Sequence, residues 1–280
     1  MREIELSAGT IEYEDTGGDG PVVVLVHGLA MDGSVWRNVV RELSPDHRVL
    51  VPNVPLGAHR VPMKPDADLS PRGIGRLQAE FLERLDLRDV TLVGNDSGLF
   101  LFAAAEHPGR IARLVITSCE AFGNFPPGLP GKAVKLATRL PGGLLAFSQP
   151  LRIRAMRWTP LTFGWMAKRR IPHEVTDAWL RPGLTQRGVR RDLLKYVRSM
   201  TKNDMNDVGE QLRSFDRPVL VAWAAEDKVM PPEHGRRFAE LLPDARLVEI
   251  ADSYTLIPED QPVELAGHIR AFVAAGVKTD

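Results

Sequence analysis

The chain has 280 residues, 44% of them hydrophobic, and its 36 basic and 36 acidic side chains cancel to a formal net charge of zero. That balance removes any whole-chain argument for nucleic acid, no apolar run is long enough to span a bilayer, and the acidic, mixed N-terminus does not read as a signal peptide. Cys119 is alone, so no disulfide framework, zinc-type cluster, metal site or cofactor is expected, and a reducing cytoplasm fits.

Residues 2–6 and 10–15 alternate apolar and polar side chains, which predicts an antiparallel hairpin. Val22–Val26 is a continuous β-branched and leucine run, read as a strand buried on both faces. It leads into His27-Gly28-Leu29-Ala30. A helix is expected over 35–43, a strand over 48–51, and a helix over 70–85 started by the Ser70-Pro71 pair. Val90-Thr91-Leu92-Val93 is the next strand, followed by a helix over 99–106 and a strand over 114–117. The alternation stops from about 121 to 206, where helical patterns, prolines and tryptophans replace strands. Strands resume at 218–223 and 246–250, with helices at 233–241 and 262–274. Regular β-α alternation predicts a mostly parallel eight-stranded α/β sheet with helices on both faces and a helical insertion after strand six. The expected division is a core of 1–120 and 207–280, with 121–206 as a cap. In such a sheet, sites lie along the rim formed by the strands' C-terminal ends.

Val93-Gly94-Asn95-Asp96-Ser97-Gly98 is the segment around which this pattern turns. A strand breaks at two glycines that leave room for a backbone too tight for Cβ atoms, then a helix begins. The residue between them, Asp96, is forced outward. Strand, sharp turn and helix with a reactive side chain at the apex form a nucleophile elbow. At these residues the chain resembles the α/β-hydrolase fold family. A carboxylate at the apex is similar to the branch containing haloalkane dehalogenases and epoxide hydrolases, and the resemblance covers essentially the whole chain.

The resemblance implies roles for further positions. Asp96 would be the nucleophile, forming an alkyl-enzyme ester. The backbone amides of Leu29 and Ser97 would form the oxyanion hole, with His27 structural. Asp227, in Ala225-Glu226-Asp227 after strand seven, would be the acid that orients a histidine. Glu120, just past strand six, is the runner-up for that acid. The histidine itself is missing. Counting back from Pro262, its position falls on Thr255, and residues 250–262 contain no histidine. Threonine cannot accept a proton as imidazole does, so hydrolysis of the ester needs another base. His59, His173 and Asp252 are candidates; His47, His107, His234 and His268 fall away from the rim.

Leaving-group devices are absent too. Haloalkane dehalogenases place a tryptophan directly after the nucleophile, where this chain has Ser97. Epoxide hydrolases use two cap tyrosines, where the cap region has only Tyr196. Fluoroacetate dehalogenases place arginines shortly after the nucleophile, and residues 97–108 hold none. Residues 131–202 carry 16 Lys or Arg against 3 Asp or Glu, a formal +13 that leaves −13 on the rest. An anionic substrate, an acidic partner or transient membrane contact would use that charge; solvated helix faces explain it as well. The functional expectation is a hydrolase acting on a small apolar ester, halide or epoxide-like substrate through an unidentified base. The alternative is a catalytically degenerate member of the fold that binds a hydrophobic ligand or performs non-hydrolytic chemistry. Either way the partner is a small molecule, with no nucleic acid and no stable membrane insertion.

Overall fold

The structure, a computed structural model, describes residues 1–276. Its eight strands are β1 (Arg2–Leu6), β2 (Gly9–Asp15), β3 (Val22–Val26), β4 (Arg48–Pro52), β5 (Val90–Asp96), β6 (Ile111–Cys119), β7 (Val219–Ala224) and β8 (Ala245–Ile250). They form one sheet in the order β1-β2-β4-β3-β5-β6-β7-β8. The hairpin β1–β2 is antiparallel, with Ile4 opposite Ile11, and β2 meets β4 antiparallel. Every later pairing is parallel. The continuous apolar runs lie in the middle: β5 is buried at all seven positions, as a strand covered on both faces must be.

Core helices are α1 (Arg37–Leu43), α2 (Pro71–Arg84) and α3 (Phe100–Glu106). Ser70 caps α2 as its sequence predicts, its hydroxyl accepting from the Gly73 amide at 3.1 Å. Between β6 and β7 come α4 (Gly128–Ala137), α5 (Gly143–Ser148), α6 (His173–Thr185), α7 (Arg187–Ser199) and α8 (Lys202–Gln211). Residue 206, the expected end of the cap, falls inside α8, which packs on α3. The chain closes with α9 (Pro232–Leu241), α10 (Ile257–Asp260) and α11 (Pro262–Gly276). Among the described residues no helix is long and apolar enough to cross a membrane.

The insertion's positive charge is mostly engaged by the chain itself. Lys195 donates to the carbonyls of Pro65 and Ala67, Arg198 to that of Thr138, and Arg190 to that of Gly183. These side chains border an outer groove with Leu140 and Leu194, separate from the cavity described below.

The elbow is tight for a packing reason as well as a torsional one. The Phe100 ring, at the start of α3, lies against Gly94, where a Cβ would overlap it. Overpacking of this kind typically costs about 1–3 kcal/mol. Gly94→Ala is therefore expected to lower the free energy of unfolding by at least that much in denaturant titration. Unchanged stability would mean that the Phe100 ring can shift without cost.

Candidate active site

Asp96 ends β5 with φ of 65°, a left-handed conformation that Asp tolerates better than most residues. The bend turns its carboxylate toward the loop after β3. There the Leu29 amide donates to Asp96 Oδ2 at 2.9 Å. Gly28 makes this approach possible, because a Cβ at that position would overlap the Asp96 carboxylate. His27 orders the same loop: its Nε2 accepts from the Val54 amide at 3.0 Å, and Nδ1 lies 2.9 Å from the Gly28 carbonyl. Burial lowers the His27 pKa to about 4, so the ring is neutral and structural.

The two expected oxyanion amides differ. Leu29 N–H reaches the carboxylate, but Ser97 N–H donates back to the Asn95 carbonyl at 2.8 Å. A positive φ at Asp96 brings its flanking residues close enough for this i-to-i+2 bond, as in a γ-turn. One amide of the pair is therefore committed to the turn itself.

Asp227 and Thr255 meet. The Thr255 hydroxyl donates to Asp227 Oδ1 at 2.7 Å, and that oxygen also accepts from the amides of Val229 and Met230. Asn95 Nδ2 holds the Thr255 carbonyl at 2.8 Å, which ties the last loop to the elbow. Asp227 Oδ2 is buried with no partner among the described residues. Burial, only partly offset by these donors, raises the Asp227 pKa to about 6.

None of the three histidine substitutes reaches the cavity. His59 is buried, with Nε2 3.3 Å from Asp192 Oδ2 of α7, and joins the loop after β4 to the cap. His173 opens α6. Asp252 is exposed and ion-paired with Lys168 and Arg169.

Above the elbow lies a cavity of about 110 Å³, a few times the volume one water takes up in the liquid. Its walls are mostly apolar, with Phe125, Phe147, Phe163, Met166 and Leu180 from the insertion and its approaches. The titratable side chains lining it are Asp96, Glu120, Lys135 and Tyr196. Burial, with an addition from Asp227, raises the Asp96 pKa to about 7. Burial, with an addition from Asp96, raises Glu120 to about 8. No basic side chain among the described residues acts on either carboxylate, and the ammonium of Lys135 is held by the carbonyls of Val197 and Met200. Neighbouring Cys119 is fully buried, and burial together with the nearby acids pushes its thiol well above the ordinary range.

Lys135 and Tyr196 are cavity residues that the sequence pattern did not single out for the site. A signal existed for the second. Val189, Asp192, Leu193, Tyr196 and Val197 are the buried positions of α7, a helical repeat that places the phenol on the inward face.

The raised pKa of Glu120 has a thermodynamic consequence. Between its ordinary value near 4.5 and about 8 the folded protein holds a proton that the unfolded chain releases. Stability from this site therefore falls as pH rises through that window. In Glu120→Gln, thermal melts between pH 5 and 8 are expected to lose less stability with rising pH than the parent does. Parallel pH profiles would show that Glu120 is ionised when folded.

Known proteins share this fold. The model of the alpha/beta hydrolase family matches residues 23–268. The chain is 31% identical to a haloalkane dehalogenase of Mesorhizobium japonicum, over 92% of this chain and 86% of that one. It is 28% identical to a cis-3-alkyl-4-alkyloxetan-2-one decarboxylase of Xanthomonas campestris, over 94% and 92% of the two chains. The solved structure of an ancestral haloalkane dehalogenase superposes with a TM-score of 0.78 at 21% identity, covering 99% of each chain. An eight-stranded sheet in this order, a bend at the end of β5 and a match over nearly the whole length make the chain a member of the alpha/beta hydrolase family.

Proposed function

We propose that the protein is a hydrolase-type enzyme in which Asp96 attacks an electrophilic carbon of a small, apolar substrate and forms an ester with it. One observation carries this reading: a carboxylate on a left-handed bend, hydrogen-bonded by the Leu29 amide, faces a cavity with largely apolar walls. The bond leaves the second carboxylate oxygen free of that amide and able to reach carbon. When the ester carbonyl is later attacked, the Leu29 N–H is positioned to stabilise the charge on its oxygen. The names of two relatives, a haloalkane dehalogenase and an oxetan-2-one decarboxylase, both point to substrates with an electrophilic carbon bearing a leaving group.

Thr255 is the reason to separate the two half-reactions. Attack on carbon requires no base, whereas hydrolysis of the ester requires an activated water. The Thr255 hydroxyl donates into Asp227 and supplies no such base. A second reading, a ligand-binding protein of the same fold, draws on that same contact.

Intact-mass analysis separates the readings. After exposure to a small primary alkyl halide, the protein is expected to gain the mass of the alkyl group, on the peptide that contains Asp96. Asp96→Asn is expected to gain none. An unmodified parent protein, with no turnover of ester, halide or epoxide, would favour the binding protein. Thr255→His is expected to speed release of the adduct, by up to about 10²-fold. A folded but inert Thr255→His would show that position 255 does not occupy the base's place.

A further inference from the structure

Two features of the cavity are not used by the reaction just proposed: Glu120, and the lack of any cation to neutralise it. The Glu120 amide donates to the Asp96 carbonyl at 2.9 Å, which fixes the two residues together at the ends of adjacent parallel strands. Both side chains line the same cavity. Glu120 Oε2 lies 3.3 Å from the Tyr196 hydroxyl and 3.4 Å from Ser97 Oγ, both uncharged. The other groups nearby cannot accept a proton from water in the cavity. Lys135 is spent on two carbonyls, and Thr255 and Asp227 bond each other outside the lining.

We infer, building on Asp96 as nucleophile, that Glu120 carries the proton in both half-reactions in place of an imidazole, and that the substrate's leaving atom is an oxygen, as in a small epoxide. In the first step an Asp96 oxygen bonds to a ring carbon, the carbon–oxygen bond breaks, and the departing oxygen takes the proton from Glu120. The products are an ester and a Glu120 carboxylate. In the second step that carboxylate takes a proton from water, and the hydroxide adds to the ester carbonyl. The tetrahedral intermediate expels the alkoxide, which receives the proton left on Asp96. A diol leaves, and Asp96 is again ionised and Glu120 again protonated.

Each proton donated creates the base that the next step requires, as with the paired carboxyls of retaining glycosidases. An alkyl halide breaks this cycle. Halide departs without a proton, so Glu120 stays protonated and cannot activate water. The charge state fits. The groups facing Glu120 are Asp96 from β5, Tyr196 from α7, neighbouring Cys119 of β6 and, across the cavity, Lys135 of α4; Asp227 acts on it through Asp96. With Asp96 near 7 and Glu120 near 8, the pair holds one proton between those values.

The test pairs 1-bromobutane with 1,2-epoxybutane, following intact mass and released product. The parent protein is expected to keep a lasting butyl adduct from the bromide and to convert the epoxide to butane-1,2-diol. Epoxide turnover is expected to fall on both sides of a maximum between about pH 7 and 8. Glu120→Gln is expected to lose epoxide turnover by at least about 10²-fold while Asp96 is still alkylated by the bromide, which also shows that the variant is folded. The inference is overturned if Glu120→Gln hydrolyses the epoxide at the parent rate, if the bromide adduct clears as fast as the epoxide turns over, or if the rate keeps rising above pH 8. A parent that forms no adduct with either reagent and makes no diol overturns the nucleophile itself, and this inference with it. A persistent epoxide adduct overturns the role of Glu120 alone.

Discussion

One hydrogen bond, from the Leu29 amide to the Asp96 carboxylate, joins the C-terminal ends of two neighbouring parallel strands. It is possible only because Asp96 sits at a φ of 65° and Gly28 has no side chain. Both requirements follow from the sheet. β3 is apolar throughout, β5 is buried at all seven positions, and the two are held parallel at the centre, so the loops at their ends converge. Strain at the bend is a local cost borne by a rigid surround, here Gly94 under the Phe100 ring and Asn95 anchored to Thr117 and Thr255.

The second constraint is electrostatic. Asp96 and Glu120 are buried beside each other, and half-buried Asp227 lies close enough to Asp96 to raise its pKa further. Among the described residues no histidine lines the cavity, and the insertion's cations are largely held by backbone carbonyls, paired with carboxylates such as Asp177 and Asp252, or placed around a separate groove. Acids left in apolar surroundings hold their protons, and all three are displaced upward. Burial without a neutralising cation thus affects the protonation of all three acids rather than of one.

Most of the fold was legible because it rests on local periodicity. The runs at Val22–Val26 and Val90–Val93, the hairpin, the Ser70 cap and the gap in strand signals between β6 and β7 are each readable within a window of a few residues. The elbow was legible from two glycines. What escaped depends on contacts between distant segments. Tyr196 meets Glu120 across 76 positions, and His59 meets Asp192 across 133. The turned-back Ser97 amide escaped for a different reason, since its direction depends on a torsion angle rather than on residue type. Glu120 was visible as an acid after β6, but its surroundings, which decide its protonation, were not.

Cys119 ends β6 one residue before Glu120, and a thiolate there would outcompete any carboxylate for an alkylating reagent. Its burial and the acids around it keep the sulfur protonated, and a neutral thiol is a feeble nucleophile. The same burial that delays ionisation of the carboxyl groups, reinforced by the acids nearby, disarms the sulfhydryl more completely, because its starting pKa is higher. Burial thus keeps the stronger potential nucleophile protonated behind the carboxylates that line the cavity.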